Sequence, residues 1–524
     1  IRQSCGCVND SVDEALLELA TGGQPQPVTA KVVDPFAHPD ALRRFRVMKN
    51  VEELARALDY PWEKWTVFLH PSQRDWVERD YSGPARVSGS AGTGKTIVAL
   101  HRAVHLARAH PESRVLLTTF SETLAQSLRI KLRRLIGSEP SLAERLEVQS
   151  LDSLGERLYR THLAPVRLAA PEDIRAAIRR ASEITEAARF SLQFLLTEWR
   201  DVVDAWQLAD WPAYRDVRRL GRKTRLSEAQ RAALWLLFER VRADLQAQGL
   251  ITHAQLFTTL APRIAERPPF DFAVVDEAQD LSIAQLRFLA ALGTRRPQAL
   301  FFAGDLGQRI FQPPFSWKSL GVDIRGRSRT LQINYRTSHQ IRTQADRLLA
   351  PALSDVDGNV EARTGTISVF NGPAPVIQAF ADEEAEIAGV AAWLKALAAD
   401  IDPREIGVFV RSSEQLDRAC AALAAAGLAH QVLDEGLAAT NGKVAVSTMH
   451  LAKGLEFKAV VVMACDDEVI PLQARIDSVG DDADLEEVYN TERHLLYVAC
   501  TRARDRLLVS GMEPVSEFLE DLIV

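Results

Sequence analysis

The stretch Gly89-Ser90-Ala91-Gly92-Thr93-Gly94-Lys95-Thr96 constrains this chain more than any other part of it. It fills every fixed position of G-x-x-x-x-G-K-[ST], a phosphate-binding loop. Its glycines let the backbone curl tightly and aim N–H groups at phosphate oxygens. Lys95 reaches the β/γ-phosphates as a point charge, and the Thr96 hydroxyl is suited to Mg²⁺. The flanks require a strand–loop–helix unit. Ala85-Arg86-Val87-Ser88 reads as a short strand. Ile97, Val98, Leu100, Val104 and Leu106 support an apolar helix whose N-terminus faces the anion. The chain therefore handles a nucleoside triphosphate.

At 524 residues there is room for several domains, each burying a core. A net charge of −7 argues against a polybasic nucleic-acid binder but leaves room for a local basic groove. No apolar run is long enough to span a bilayer, so no membrane partner is expected. The opening Ile1-Arg2-Gln3 has neither a signal-peptide shape nor an initiator Met, which fits a processed or truncated chain. Five cysteines in this length make no disulfide framework. Cys5 and Cys7 lack the companions a zinc site needs, and Cys420, Cys465 and Cys500 lie in apolar stretches as core residues. These features point to a reducing, cytoplasmic compartment.

Residues 1–65 read as a lead-in or linker with a short helix at Val51 to Leu58. Residues 66–159 alternate helix and strand, with Arg114 to Phe120 a buried strand and helices at Glu122 to Leu135 and Leu151 to Tyr159. Residues 160–250 are helical, with Trp199, Trp206, Trp211 and Trp235 spaced for helix packing. The alternation returns over 251–330, with strands at Phe272 to Val275 and Ala299 to Ala303. A second α/β unit fills 331–524, its strands at Ile367 to Phe370, Ile406 to Val410, Val444 to Ser447, Ala459 to Met463 and Arg506 to Ser510. The acidic stretch Asp477 to Glu487 reads as a solvated loop. Such alternation predicts an α/β fold of doubly wound parallel sheets.

A second chemical signal follows the strand ending at Val275: Asp276-Glu277-Ala278-Gln279-Asp280. A carboxylate at a strand's C-terminal end is where Mg²⁺ must sit to neutralise loop-bound phosphates. Asp276 is the candidate metal ligand, and Glu277 the group that orients and deprotonates an attacking water.

With these two motifs and those below, the chain resembles the superfamily 1 helicases of the UvrD/Rep/PcrA type over residues 66 to 511. The resemblance implies two RecA-like domains, with the helical stretch inserted in the first. It implies ATP and Mg²⁺ as cofactors, and single-stranded DNA or a single/double-strand junction as partner. It also implies 3′-to-5′ travel on DNA. A protein partner in repair or in a helicase–nuclease assembly is a separate expectation; no nuclease carboxylate–lysine cluster follows Arg504, so a nuclease would be a separate chain or a lost segment.

Leu69-His70-Pro71-Ser72-Gln73 is similar to the segment whose Gln reads the adenine edge, a part that falls to Gln73. Thr119-Phe120 matches a strand-end T-F that faces single-stranded DNA. Gly304-Asp305-Leu306-Gly307-Gln308 resembles G-D-x-x-Q, with Gln308 between γ-phosphate and DNA. Phe311 aligns with a base-stacking aromatic, and Trp317 is a further stacking candidate. Asn334-Tyr335-Arg336 is similar to N-Y-R, which gives Tyr335 the adenine face and Arg336 the γ-phosphate. Thr448 to Phe457 matches T-x-H-x-x-K-G-L-E-F, placing Glu456 on the nucleotide sugar and Thr448 and His450 toward DNA. Leu496 to Ala503 resembles L-x-Y-V-A-x-T-R-A, with Arg502 as an arginine finger.

Two departures stand out. Ile97 occupies the position where many members carry an arginine against the base. The span from Arg336 to Thr448 is also too short for the large helical insertion of the family's second core. Translocation on single strands is the expectation that survives these departures best. An ATP-gated binding switch without directed motion is the alternative.

Overall fold

A computed structural model describes residue 69 and residues 71–523, apart from 138, 186–189, 218–225, 435–441 and 478–481. The expectations for residues 1–65, including Cys5, Cys7 and the helix at Val51 to Leu58, lie outside the described residues.

The first sheet has six strands: β1 (Ala85–Ser88), β2 (Val115–Thr119), β3 (Leu146–Ser150), β4 (Phe272–Val275), β5 (Leu300–Ala303) and β6 (Ser328–Thr330). They lie in the order β3-β2-β4-β5-β1-β6, and every pairing is parallel. β1, β2, β4 and β5 are buried at every position. Parallel strands covered on both faces read as continuous apolar runs, which is why short segments such as Phe272-Ala273-Val274-Val275 form them. This order sets the C-terminal ends of β4, β5 and β1 side by side. Three loops then meet at one edge: the glycine loop after β1, Asp276-Glu277 after β4 and Gly304-Asp305 after β5.

Between the helix Leu151–His162 and the helix His253–Glu266, the chain makes a helical body from Pro171–Ile184, Leu192–Glu198, Trp211–Asp216 and Glu228–Ala247. Its own core holds Trp199, Tyr214, Trp235 and Phe238, with Trp211 packed alongside. Trp206 turns the other way and packs against the core of the first sheet.

The second sheet also has six strands, all parallel: β7 (Val376–Phe380), β8 (Ile406–Val410), β9 (His430–Val432), β10 (Val444–Thr448), β11 (Phe457–Val462) and β12 (Ala503–Met512). Their order is β7-β12-β11-β8-β10-β9. Two corrections arise here. Ile367–Ser368 pairs with Ile333–Asn334 in a separate two-stranded sheet, not in the second core. The edge is instead taken by Val376–Phe380, an outer strand with no fully buried residue, so its sequence carries no long apolar signal. The acidic stretch after Asp477 is not a loop throughout, because a helix runs from Asp482 to Cys500. Among the described residues, the helices and strands between Arg336 and Thr448 belong to this sheet and its helices, to the small pair, or to a hairpin of Ala352–Ser354 with Val360–Ala362. Among the described residues, no further helical body stands there. Cys465 and Cys500 are fully buried in the second core and Cys420 partly so.

The two cores touch closely. The second-core apolar cluster around Phe409, Phe457, Leu495 and Phe518 includes Ala91 of the glycine loop.

Candidate active site at the seam of the two cores

The glycine loop uses its glycines where no other residue would serve. Gly89, Gly92 and Gly94 have φ values of 145°, 81° and 85°. A Cβ on Gly92 would lie 2.4 Å from Asn334 Oδ1, and one on Gly94 2.8 Å from Gln73 Nε2. Asn334 clasps the loop from the far side. Its Nδ2 donates to Ala91 O at 2.9 Å, while its Oδ1 accepts the N–H groups of Arg336 at 2.9 Å and Thr337 at 3.0 Å. The N–H of Tyr335 donates to Gly92 O at 3.0 Å. The N-Y-R segment is thus built directly onto the phosphate loop.

Lys95 opens the helix Lys95–Ala109 and is buried. Its Nζ donates to Gly89 O at 2.7 Å and Ser90 O at 3.0 Å, with Asp305 Oδ2 at 3.6 Å. Burial pulls its pKa down, while the Asp305 and Glu277 carboxylates oppose that shift. The Ser90 hydroxyl is buried with no hydrogen-bond partner. A buried cation held by loop carbonyls, with its nearest carboxylate at 3.6 Å, beside an orphaned hydroxyl is a set of donors that suits phosphate oxygens.

Asp276 lies beside the Thr96 hydroxyl. Burial, then the neighbouring Glu277 carboxylate, raise its pKa to about 6 against the opposing Thr96 hydrogen bond. A carboxylate at a strand end and a hydroxyl in the first turn of a helix form the all-oxygen donor pair that Mg²⁺ takes while keeping its waters. Glu277 sits in the left-handed region at φ 55°, which aims its side chain off the strand axis. Burial pushes its carboxyl upward, but Lys453, Lys95, the Gln279 amide and Arg502 together hold it below the usual range. It is therefore ionised at neutral pH. Gln279 Nε2 donates to it at 2.6 Å, and Lys453 Nζ stands 3.6 Å away.

Three groups arrive from the second core. Arg336 is ion-paired with Glu456. Arg502 is buried, and its guanidinium donates to Val498 O at 2.9 Å and to Gln308 Oε1 at 3.0 Å. Burial, then nearby Arg336, lower its pKa to about 10, so it stays charged at neutral pH. Gln308 itself donates to Asp305 Oδ2 at 2.6 Å. One cavity of about 470 Å³ is lined by Gln73, Gly92, Gly94, Lys95, Thr96, Asp276, Glu277, Gln308, Tyr335, Arg336, Glu456 and Arg502. Gly89, Ser90, Ala91 and Thr93 stand behind that lining as the rest of the loop.

Of the residues expected to meet nucleic acid, three assemble. The rings of Phe120 and Phe311 lie 5.5 Å apart, and those of Phe311 and His450 lie 6.5 Å apart. Phe311 is 41% exposed, unusual for so large an apolar ring. Burial, then Arg411, lower the pKa of His450 to about 4, so the ring is neutral. Thr448, partly exposed, ends β10 just ahead of it. Two residues stand elsewhere than expected. Thr119 is wholly buried within β2. Trp317 packs edge-on against Phe302 at 4.9 Å beneath the Arg86 guanidinium, as part of the first core.

Several functional groups were not singled out from the sequence. Lys453 bonds Asp280, donates to Gln308 O at 2.8 Å, and lies 5.4 Å from the Phe120 ring centre and 5.9 Å from that of Phe311. It thus joins the charged cavity to the aromatic face. Lys453, Asp305 and Asn334 all sit inside motifs already legible, so position within a motif was their signal. Leu124, Ser127 and Lys131 also line the cavity, from the helix Glu122–Ile136. They carry no motif, and only the helix's placement brings them in.

Comparison with known proteins agrees with this geometry. Residues 69–313 match the UvrD/REP helicase N-terminal domain family, and residues 421–513 match the UvrD-like helicase C-terminal domain family. The ATP-dependent DNA helicase UvrD2 of Mycobacterium tuberculosis is 28% identical over 374 residues, which cover 67% of this chain and 53% of that protein. The ATP-dependent DNA helicase UvrD1 of Mycobacterium leprae is 37% identical over 93 residues, 16% of this chain and 11% of its own. The putative ATP-dependent DNA helicase YjcD of Bacillus subtilis is 46% identical over 69 residues, 13% of this chain and 9% of its own. The chain spans about half the length of the UvrD2 relative.

Proposed function

The chain belongs to the UvrD/Rep type of superfamily 1 helicases, and from that premise we propose that it is an ATP-hydrolysing motor that translocates on single-stranded DNA. One observation carries the reading. Lys95, Thr96, Asp276 and Glu277 from the first core and Arg336, Glu456 and Arg502 from the second line a single cavity. A triphosphate held there would be coordinated fully only while the cores are closed, so its cleavage would loosen the grip between them.

Bound MgATP would supply the phosphoanhydride and the metal's charge. Lys95 would leave the loop carbonyls for phosphate oxygens. Thr96 and Asp276 would hold Mg²⁺, and Glu277, kept ionised by its cationic neighbours, would take the proton of the attacking water. Arg336 and Arg502 would neutralise charge on the transferring phosphoryl group. Tyr335 and Gln73 would hold the base, and Glu456 the sugar. Gln308, bonded to Arg502 on one side and Asp305 on the other, stands where nucleotide state would be passed to the aromatic face.

The 3′-to-5′ direction rests on the family resemblance. The test is displacement of streptavidin from a biotinylated 5′ end of single-stranded DNA. Release with ATP, and none with a non-hydrolysable analogue, is the expected result. ATP-dependent binding without release would favour the gated switch. Duplex unwinding would need a separate assay with a 3′-tailed junction.

A further inference from the structure

The hairpin of Ala352–Ser354 and Val360–Ala362 has no role in the mechanism above. The chain has by then entered the second core, yet the hairpin's carboxylates bind the first. Glu361 is 4% exposed. One of its oxygens accepts the N–H of Leu306 at 3.0 Å, where the turn carrying Gln308 begins. The other pairs with Arg86, which is 3% exposed in β1, the strand that runs into the glycine loop. Asp355 adds a second carboxylate to Arg86 at 3.4 Å. Beyond Phe311, Asp357 accepts from the Ser316 hydroxyl and from the Lys318 N–H at 2.9 Å. The hairpin therefore grips the segment 306–318 on both sides of Gln308 and Phe311.

Its foot stands on the second core. Arg363 donates to Asp346 Oδ1 at 3.0 Å and to the hydroxyl of Tyr497, which lies on the helix leading to Arg502. Buried groups of this kind have no water to fall back on, so each contact fixes geometry as well as adding energy.

We infer that Glu361 is a positioning residue: by joining the strand of the phosphate loop to the Leu306 N–H, it sets the Gln308 turn and thereby couples nucleotide hydrolysis to a strand lying on Phe311. The inference rests on the motor reading and goes beyond it by naming a residue outside every motif.

The experiment compares steady-state ATP hydrolysis with and without single-stranded DNA in the full chain and in three variants. Glu361→Ala removes the acceptor for Leu306. Glu361→Gln keeps an acceptor and leaves Arg86 its Asp355 partner. The double variant R86M/E361M removes both buried charges at similar volume, and it decides the matter if Glu361→Ala does not fold. In Glu361→Ala and the double variant, DNA-stimulated kcat is expected to fall at least about 10-fold, the size of effect one lost buried hydrogen bond produces. KM for ATP and basal kcat are expected to stay within about 3-fold, and Glu361→Gln to recover most of the stimulation. Full stimulation in the double variant would overturn the inference. So would equal loss of basal and stimulated rates with no recovery in Glu361→Gln, because that is what general loosening of the fold produces. A wild-type chain that DNA does not stimulate would instead overturn the motor reading, and the inference with it.

Discussion

Two of the cavities among the described residues are almost equal in size. One, of about 470 Å³, opens at the seam of the two sheets; the other, of about 460 Å³, lies between the helical body and the start of the helix His253–Glu266. Volume does not distinguish them, but the placement of charge does. In the helical cavity, Asp204 accepts from Thr252 Oγ1 at 2.6 Å and Gln207 Nε2 at 2.7 Å, and Arg242 donates to the carbonyls of Leu208 and Ala209. Its polar groups hold a π-helical turn and a strained Gln207 in place. At the seam, Lys95, Asp276, Glu277, Arg336 and Arg502 converge from separate strand ends and both cores, with several of them held by makeshift partners. Charge that arrives from independent elements can be redirected to a ligand. Charge bonded between neighbouring helices, as Asp204 is to Thr252 and Arg242 to Leu208, supports their packing.

Substitutions at the seam should therefore destroy turnover. The largest effect is expected at Arg502. Replacing it by Ala should lower kcat about 10³-fold or more, as loss of an arginine finger does. Lys is not expected to restore it, because the guanidinium reaches Gln308 and Val498 at once. Phosphate release under saturating ATP measures this. Lys95→Ala should fall into the same range through lost phosphate contact. Next, Glu277→Gln should lower kcat by about 10²–10⁴-fold, the usual worth of a positioned base, while a fluorescent ATP analogue still binds. Normal turnover in Glu277→Gln would remove the general base from the mechanism.

Phe311→Ala sharpens the comparison differently, since it touches the strand face and not the phosphates. Loss of one base stack should weaken single-stranded DNA binding by about 1–3 kcal/mol, roughly 5- to 150-fold, in a fluorescence anisotropy titration. Basal hydrolysis should change little. An equal fall in basal hydrolysis would mean that the Phe120–Phe311 contact serves packing within the first core.

The phosphate end of this site was legible because its residues are neighbours in sequence. Eight consecutive residues define the glycine loop, and Asp276-Glu277 follows an apolar strand directly. The same holds for the fold: runs such as Val115–Thr119 and Ile406–Val410 are buried at every position and announce parallel strands. What stayed hidden depends on contacts far apart in the chain. Nothing near Trp317 in sequence reveals that Phe302 and Arg86 enclose it. Glu361 looks like any surface glutamate until Arg86, from a strand far earlier in the chain, is set against it. The edge strand Val376–Phe380 was missed because a half-covered edge needs no continuous apolar run.

The smallest effect is expected in the helical cavity, where the comparison makes its most exposed claim. Burial raises the pKa of Asp204 to about 6, against hydrogen bonds from Thr252 and Gln207 that oppose the shift. A carboxyl whose pKa is raised on folding favours the folded state fully below the unfolded value near 4, and that contribution is lost as pH rises through about 6. At pH 7.5 the charged form is thus a net cost. Asp204→Asn keeps an acceptor oxygen for Thr252 and Gln207 and removes the charge. It should raise stability by about 1–2 kcal/mol at pH 7.5 and by little at pH 4, read from urea unfolding at both values. ATP hydrolysis should be unchanged. If Asp204→Asn instead lowered turnover by the factors expected at the seam, the helical cavity would have to be counted with the reacting machinery, and charge convergence would no longer separate the two.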